Sequence, residues 1–416
     1  MRSAPSSFIS RATLIATLLC AAWHGQSANA AGLPSTLAQA IALERADALP
    51  RSAFYDPPSL AGTVPGDLLR ELEFDGYAIP AGARAIRILS HSLTAEGRDV
   101  ATSAVVLIPP GRPPAGGWPV IAWAHGTSGV AQQCAPSLEK DLEYGELGLM
   151  PMVRAGFAVV ATDYHGLGTP GPHEYVNKLA QARDVIYSVP AARRAVPSLG
   201  RRWAAVGHSQ GGVAMWGVAE LEALTHDPDY LGAVSVAGAG DLRVGLERMA
   251  ASGDAATFYL AYMAYAIHAR SPAFRADRML AGRALGHYRA ATTRGCWYYA
   301  YASYLDAHEG PALKKGWEAH PAVQRFIDDN RMGEAAMARP FLVVAGEADR
   351  TVPFALVQKT VTRACATGHL LALRTYPGLD HSETMRDSTD YILDWIRDRY
   401  AGRPATGECA APPPQS

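Results

Sequence analysis

One short stretch of the chain has the residue types and spacing of a serine nucleophile. The segment Val206-Gly207-His208-Ser209-Gln210-Gly211-Gly212 contains the pattern G-x-S-x-G, between an apolar run that predicts a strand and a run that predicts a helix. In that context the pattern is a nucleophile elbow, in which a strained turn exposes the serine hydroxyl. Glycines flank the turn because a Cβ atom there would collide with the crowded backbone. We therefore predict that Ser209 is a nucleophile; the alternative is an incidental serine in a glycine-rich turn.

A serine nucleophile needs two partners, which two later positions can supply. A base must take the hydroxyl proton, and a carboxylate must hold the tautomer of that base. In proteins with this elbow the order along the chain is Ser, then Asp or Glu, then His. Asp349 and His381 fit that order, and each follows a predicted strand, where open α/β sheets build their sites. Glu347 is an alternative acid because it is nearer the end of its strand.

Three other polar residues near these positions have no predicted catalytic role. Asp380 adjoins His381, but sequence neighbours do not usually face each other, so we interpret Asp380 as a loop residue. We expect His208 to point away from the reacting groups and to be structural. Asp163 ends a core strand and is interpreted as a residue that caps a loop. The remaining histidines lack metal-ligand spacing such as H-E-x-x-H, so we expect no catalytic metal and no cofactor.

Attack on a carbonyl also requires backbone N–H donors where the negative charge of the intermediate develops. One predicted donor is the amide of Gln210, directly after the nucleophile. The second is expected from the loop His125-Gly126-Thr127-Ser128-Gly129, which follows another predicted strand. Its glycines would let the backbone turn an amide inward. Thr127 is the first choice and Ser128 the second, and an ordinary glycine turn is the alternative.

The elements that must position these residues alternate between strands and helices, which predicts a mostly parallel sheet with helices on both faces. Residues 85–92 and 99–108 alternate well enough for antiparallel strands. Further strands are predicted at 119–124, 158–162, 203–206, 233–236, 341–344 and 370–375. Helices are predicted at 38–48, 138–155, 175–195, 211–223, 353–364 and 383–400.

The alternation is interrupted between about residues 241 and 339. This stretch is rich in Tyr, Met, Ala and Trp, as in Phe258-Tyr259-Leu260-Ala261-Tyr262-Met263, and has helical rather than strand periodicity. It predicts a helical cap or lid inserted into a core formed by residues 31–240 and 340–400. Residues 401–416 are Pro- and Ala-rich and are predicted to be an irregular C-terminal tail.

The N-terminus has the features of an export signal. Arg2 and Arg11 flank a polar start, residues 12–23 are apolar, and Ala28-Asn29-Ala30 fits the A-x-A cleavage rule. An apolar run of that length is too short to span a bilayer as a helix. We therefore predict that residues 1–30 are a signal peptide, cleaved after Ala30, and that the protein is secreted or periplasmic.

Charge and cysteine content agree with an exported protein that has small-molecule substrates. The 38 Lys and Arg residues balance 39 Asp and Glu residues, which gives no sign of a nucleic-acid partner. Cys20 would leave with the signal peptide, so Cys134, Cys296, Cys365 and Cys409 remain. An even number in an exported chain favours disulfides, and spacing alone leaves all three connectivities open.

The chain resembles the secretory lipase family of the α/β-hydrolases, at a distance but over most of the mature chain. The more specific shared features are Cys134-Ala135-Pro136-Ser137 and the two late cysteines. The others are Phe54-Tyr55-Asp56-Pro57-Pro58 with Pro65-Gly66, the elbow, Arg294-Gly295-Cys296, Asp349-x-x-Val352-Pro353 and His381. Fungal members differ: they have acidic residues where His125–Ser128 lie and another residue after the nucleophile. Bacterial relatives with a His-Gly loop and Gln after the Ser are similar to this chain.

The resemblance implies an α/β-hydrolase fold with a helical cap insertion and the disulfides Cys134–Cys296 and Cys365–Cys409. It also implies a catalytic triad of Ser209, Asp349 and His381. The expected activity is that of a carboxylic ester hydrolase, a lipase or esterase, whose substrates are small-molecule or lipid esters with an apolar acyl part. Transient contact with lipid interfaces is expected, and contact with nucleic acid is not. The alternatives are a peptidase or acyltransferase on the same triad, or a non-catalytic binding protein of the same fold.

Overall fold

The computed structural model describes residues 32–407 and 409, except 239, 253–254, 306–309, 338 and 368–369. The predicted signal peptide, residues 1–30, lies outside the described residues, as do most residues of the predicted tail after 407. Among the helices in the described part of the chain, none combines the length and the apolar character needed to cross a membrane.

The described residues form a sheet in which antiparallel strands at one end join a parallel remainder. Its strands are β1 (Leu68–Glu73), β2 (Arg84–Leu93), β3 (Asp99–Ile108), β4 (Trp118–Ala124), β5 (Ala158–Thr162), β6 (Leu199–His208), β7 (Tyr230–Val236), β8 (Phe341–Gly346) and β9 (Leu371–Tyr376). Their order across the sheet is β1-β2-β3-β5-β4-β6-β7-β8-β9. The pairs β1–β2, β2–β3 and β3–β5 are antiparallel. The pairs β5–β4, β4–β6, β6–β7, β7–β8 and β8–β9 are parallel.

Every strand that the sequence predicts is present close to its predicted bounds, and β1 is the strand that was not predicted. The β1 sequence, Leu-Leu-Arg-Glu-Leu-Glu, has charges on both faces, and its last three residues are exposed. It therefore lacks the alternation of apolar and polar residues by which a half-buried strand is recognised.

Alternate residues of the central strands face two separate apolar cores. In β4, Val120 and Ala122 face one core, while Ile121 and Trp123 face the other. Successive side chains of a strand point to opposite faces, so a strand buried on both sides must be apolar throughout. This explains the continuous apolar runs at residues 120–124 in β4, 158–161 in β5, 203–206 in β6 and 341–345 in β8.

The described residues form helices on both faces of the sheet and in an insertion between β7 and β8. They are α1 (Leu37–Asp47), α2 (Met150–Arg154), α3 (Lys178–Ala195), α4 (Gln210–Thr225), α5 (Leu242–Ser252), α6 (Phe258–Arg270), α7 (Gly282–Thr293), α8 (Trp297–Ser303), α9 (Pro321–Asp329), α10 (Phe354–Ala366) and α11 (His381–Tyr400). Val185 of α3, Trp216 of α4 and Val357 of α10 belong to the first core. Met152 of α2 and Ile392 of α11 belong to the second.

The helix predicted over residues 138–155 is wrong for most of its length. The chain instead forms a 3-10 turn at Pro136–Leu138 and a π-helical turn at Gly145–Leu149 before the short helix α2 begins. Leu142 and Glu143 have φ angles of 59° and 63°. This left-handed region cannot continue a right-handed helix, so the chain turns between the two segments. Apolar periodicity does not reveal such a turn.

Helices α5 to α9 lie between β7 and β8 in the chain and form most of a third apolar core, to which Val130, Tyr175 and Val176 also belong. Leu260 and Ile267 of α6 meet Phe326 of α9 in that core, all of them fully buried or nearly so. We call residues 242–329 the helical insertion. They fall within the segment 241–339 that the sequence assigns to a cap, and the role of a cap stays a prediction.

Two disulfide bonds join segments that are distant in sequence. Cys134 is bonded to Cys296 with a Cα–Cα distance of 5.4 Å, and Cys365 to Cys409 with one of 5.0 Å. These are the two pairs that the family resemblance implies. The first bond ties the loop after β4 to the start of α8 in the helical insertion, and the second ties α10 to the segment after α11.

We expect the double substitution Cys365→Ser/Cys409→Ser to lower the free energy of unfolding by about 4 kcal/mol, because a closed loop restricts the unfolded chain. Cys134→Ser/Cys296→Ser should cost about 1 kcal/mol more, since the sequence separation is 162 rather than 44 residues. Urea unfolding of both variants and of the oxidised wild-type protein measures these differences. Equal unfolding midpoints for the wild type and either variant would contradict the prediction.

Candidate active site

Ser209 occupies the tight turn between β6 and α4, in a backbone conformation that L residues rarely adopt. Its φ and ψ angles are 54° and −114°, and such strain costs about 1–3 kcal/mol. The amide of Ser209 donates to the Val236 carbonyl at 2.9 Å, which holds the turn against β7. A Cβ at Gly207 would overlap the Gly211 carbonyl, and one at Gly211 would overlap the Ala124 carbonyl. The flanking glycines are therefore a steric requirement of the turn.

Three side chains that are far apart in sequence meet at this turn. The Nε2 atom of His381 lies 2.9 Å from Ser209 Oγ, and its Nδ1 atom lies 2.7 Å from Asp349 Oδ2. The other oxygen of Asp349 accepts from the amides of Thr351 and Val352 at 2.8 Å each. When Nδ1 donates its proton to the carboxylate, Nε2 is left with a lone pair that can accept a proton from the hydroxyl. The arrangement can thus activate a serine nucleophile.

The ends of the last strands and the start of α11 position the base and the acid. Asp349 follows β8, and His381 is the first residue of α11. Asp380 is the N-cap of that helix: its carboxylate accepts from the Glu383 amide at 2.8 Å, and Glu383 accepts from the Asp380 amide at 3.0 Å. This reciprocal capping box fixes where α11 begins. The loop residue that the sequence suggested at position 380 thus has a defined structural role.

The two other acidic residues considered from the sequence lie elsewhere. Glu347 is exposed, and the carboxylate bonded to His381 is that of Asp349. Asp163 is buried and accepts from Ser103 Oγ at 2.5 Å and from the amide and hydroxyl of Ser137 at 2.8 and 2.5 Å. Burial raises the pKa of Asp163, and the two serine hydroxyls act against it. Asp163 caps the loop around Ser137.

Two of the predicted oxyanion donors, Gln210 and Thr127, line the cleft beside Ser209. Gln210 is the first residue of α4, so its N–H has no partner within the helix. Thr127 lines the same cleft as Ser209 and Gln210, and its hydroxyl is 2.8 Å from that of Tyr175. Ser128 is buried and does not line this cleft; its carbonyl accepts from the Trp297 amide at 2.8 Å. Of the two loop residues considered, Thr127 is therefore the better placed.

His208 contacts the main chain of His381, which the sequence did not predict. Its Nε2 atom lies 3.0 Å from the carbonyl oxygen of His381, and the two rings have centroids 4.7 Å apart. Its Nδ1 atom lies 2.7 Å from the hydroxyl of Tyr144. Burial, with a smaller contribution from the charge of His381, lowers the pKa of His208 to about 3. The His208 ring is therefore neutral. The sequence analysis expected His208 to be structural, and in the structure it contacts the main chain of His381.

A second buried network holds the side chain of Gln210. Gln210 Nε2 lies 3.0 Å from His173 Nε2, and His173 Nδ1 lies 3.1 Å from the His165 carbonyl. His165 itself is between two carboxylates, 2.9 Å from Asp184 and 3.3 Å from Glu174. Burial lowers the pKa of His165, but these carboxylates outweigh it and raise the pKa to about 10. Burial lowers the pKa of His173 to about 3, so His173 is neutral.

Ser209 lines a cleft of about 110 Å³ between the helical insertion and the core. Its walls are mostly apolar and come from both parts of the protein. They include Val213, Met249, Tyr259, Met263, Met332 and Leu356. Tyr259 accepts from the indole of Trp297 at 3.0 Å, which fixes the orientation of that wall. Such a cleft favours an apolar group next to the reacting carbonyl.

Among the described residues, one group of side chains has the spacing of metal ligands. Asp47, Glu139 and Asp141 bring carboxylate oxygens within 4.8 Å of one another. Burial and then the charge of Asp47 raise the pKa of Asp141 to about 7. The group joins α1 to the loop after Leu138, and it includes neither the nucleophile nor its partners.

Comparisons with known proteins identify a family and a fold. The profile of the family described as secretory lipase matches residues 138–408. A comparison with curated proteins gave no match. The closed state of lipase A from Candida antarctica is 18% identical, with a TM-score of 0.70 over 89% of this chain and 91% of that chain. The rice cell wall degrading esterase LipA from Xanthomonas oryzae, in a ligand-bound form, is also 18% identical. Its TM-score is 0.66 over 81% of this chain and 98% of that chain. These likenesses confirm the predicted α/β-hydrolase fold.

We expect His165→Gln to destabilise the protein most below neutral pH and progressively less toward pH 10. A histidine with a raised pKa stabilises the fold fully below its unfolded pKa of about 6.5. That stabilisation is lost as the pH rises through the folded value of about 10. Free energies of unfolding in urea at pH 6, 8 and 10, for wild type and variant, measure the trend. A difference between the two proteins that does not change with pH would show that His165 is uncharged.

Proposed function

This chain belongs to the secretory lipase family, and on that premise we propose that it is an exported serine hydrolase that cleaves carboxylic esters through an acyl-enzyme. Ester hydrolysis is the activity that the family and its lipase and esterase relatives support. The observation that carries the serine mechanism is the pair of contacts made by His381, at 2.9 Å to Ser209 and 2.7 Å to Asp349.

In the first half of the proposed reaction, Ser209 Oγ attacks the ester carbonyl carbon while His381 Nε2 takes the hydroxyl proton. The carboxylate of Asp349 stabilises the imidazolium that forms. The former carbonyl oxygen carries the negative charge and accepts from the amides of Gln210 and Thr127. Each such donor lowers the barrier by about 3–4 kcal/mol. The C–O bond to the alcohol then breaks, and His381 gives its proton to the leaving alcohol.

In the second half, a water molecule takes the place of the alcohol. His381 removes a proton from the water as its oxygen attacks the acyl carbon, and the same two amides bind the oxyanion. The bond to Ser209 Oγ breaks, His381 returns the proton to the serine, and a carboxylic acid leaves. Atoms and protons balance: one ester and one water give one acid and one alcohol.

We propose that the apolar cleft holds the acyl group and that the helical insertion acts as its cap. Met249 and Met263 line the cleft from the insertion, while Met332 and Leu356 line it from the other side. The volume of about 110 Å³ is smaller than the roughly 150 Å³ cavity that binds one benzene molecule. Short acyl chains therefore fit best, and methionine side chains can adjust their shape around them.

Export completes the proposal. Both disulfides join cysteines that would remain after cleavage of the predicted signal peptide at Ala30. Disulfides persist in oxidising compartments and are rare in the cytosol. The family to which the chain belongs is described as secretory, which agrees with this location.

Ser209→Ala is expected to lower kcat/KM for p-nitrophenyl butyrate by at least about 10⁴-fold and to abolish labelling by a fluorophosphonate probe, because no other group replaces the nucleophile. Ser303→Ala is the matched control: it removes a buried hydroxyl that donates to the Tyr299 carbonyl of its own helix at 2.7 Å. That control should keep wild-type activity. Hydrolysis by Ser209→Ala at the wild-type rate would overturn the mechanism. A wild-type protein that the probe does not label would favour a binding protein of the same fold.

We expect kcat/KM for p-nitrophenyl esters to be highest for short acyl chains and to fall for long ones. Met249→Ala and Met263→Ala should each move the optimum to longer chains, because both side chains line the cleft. Met337→Ala, a partly buried methionine that packs against the core and does not line this cleft, is the control. An optimum at long chains in the wild type, or the same shift with the control, would refute the assignment of the acyl pocket.

A further inference from the structure

A chain of polar contacts runs behind the reacting groups, from the loop after β4 to the first residue of α11. We infer that Tyr144 and His208 form a positioning relay, which holds the main chain of His381 in register with the oxyanion loop at Gly126. The inference rests on the proposed serine mechanism, because it concerns the geometry of the proposed base. It adds two positioning residues to that mechanism, neither of which needs to touch the substrate.

The imidazole of His208 is bonded at both of its nitrogens. Nε2 donates to the carbonyl of His381 at 3.0 Å, and Nδ1 accepts from the hydroxyl of Tyr144 at 2.7 Å. A neutral imidazole has one donor and one acceptor, so this pair of contacts requires the tautomer with its proton on Nε2. Burial keeps the ring neutral by lowering its pKa to about 3. The ring therefore adds no positive charge beside the imidazolium that His381 becomes during the reaction.

Tyr144 connects this histidine to the oxyanion loop. Its hydroxyl lies against Gly126 so closely that a Cβ at that position would overlap it. Burial raises the pKa of Tyr144 well above its usual range, so the hydroxyl keeps its proton. The Tyr144 ring packs edge-on against Trp123 of β4, with centroids 5.2 Å apart. The hydroxyl is thus held between the loop and the elbow.

The backbone before Tyr144 is shaped to bring the side chain to this place. Leu142 and Glu143 both have positive φ angles, which non-glycine residues adopt at a cost of about 1–3 kcal/mol each. Glu143 also lies 3.3 Å from His125, the first residue of the oxyanion loop. Strain of this kind persists only where the surrounding structure enforces it. The segment therefore braces the oxyanion loop and the elbow together.

The His381 ring can move only slightly without losing one of its contacts. Its two nitrogens must meet Ser209 and Asp349 at the same time, and the ring packs on His208 at 4.7 Å. A misplacement of about 1 Å in such a group can cost about 100-fold in rate. A bond to the main-chain carbonyl of the base restricts that movement without using either ring nitrogen.

Steady-state kinetics of three variants tests the relay. His208→Phe keeps an aromatic ring and removes both bonds, so kcat for p-nitrophenyl butyrate should fall at least about 10-fold with KM within about twofold. Tyr144→Phe removes only the hydroxyl and should lower kcat less. His208→Gln should recover part of the loss, because its amide can reach the His381 carbonyl. In the double variant Tyr144→Phe/His208→Phe, kcat should equal that of His208→Phe alone, since the tyrosine acts through the histidine.

Tyr304→Phe is the matched control, because it removes a buried hydroxyl that donates to the Ala284 carbonyl at 2.8 Å inside the helical insertion. Thermal unfolding of every variant separates stability from kinetics. The relay is supported if Tyr144→Phe lowers kcat while Tyr304→Phe, with a comparable loss of stability, does not. The relay is overturned if Tyr144→Phe leaves kcat unchanged, as Tyr304→Phe does. It is also overturned if the fold-loss in kcat of Tyr144→Phe/His208→Phe equals the product of the losses of the two single variants. Ser209→Ala distinguishes the two proposals: if it is as active as the wild type, the serine mechanism fails and the relay falls with it.

Discussion

The rest of this structure depends on one constraint: both ring nitrogens of His381 must have a hydrogen-bond partner at the same time. His381 meets a hydroxyl at 2.9 Å and a carboxylate oxygen at 2.7 Å, so three loops have to converge within ångströms. A parallel sheet provides that convergence, because all of its strands end at the same edge. Ser209 follows β6, Asp349 follows β8, and His381 comes after β9 at the start of α11. Apolar cores on both faces of the sheet make this edge rigid.

The convergence has a local cost in backbone strain. Ser209 has a φ angle of 54°, and Leu142 and Glu143 have angles near 60°. Each of these conformations is unfavourable by itself, and they are held by contacts around them, such as the bond from the Ser209 amide to β7. Glycines flank the serine because their missing side chains let β6, α4 and the end of β4 approach closely. Strain and glycine together place the hydroxyl where the imidazole can reach it.

The helical insertion and the disulfides complete the site from the other side. The insertion supplies apolar side chains to the cleft, including Met249, Tyr259 and Met263. The bond between Cys134 and Cys296 joins it to the segment that follows the loop of residues 125–129. That bond packs against Gly129, where a Cβ would overlap the sulfur of Cys134. The insertion is therefore joined covalently to the segment that follows residues 125–129.

The sequence by itself determined the features that depend on local pattern and chain order. Apolar runs predicted the buried strands, glycine spacing predicted the elbow, and the order of Ser, Asp and His singled out the three residues that the structure brings together. Only the tertiary structure decided the contacts that depend on distant segments. The helix predicted over residues 138–155 breaks at Leu142 and Glu143, whose φ angles are positive. Beside this break, the side chains of Glu143 and Tyr144 contact His125 and His208, which come from distant segments of the chain. For the same reason, the bond from His208 to the His381 carbonyl, which joins residues 173 positions apart, leaves no periodic trace in the sequence.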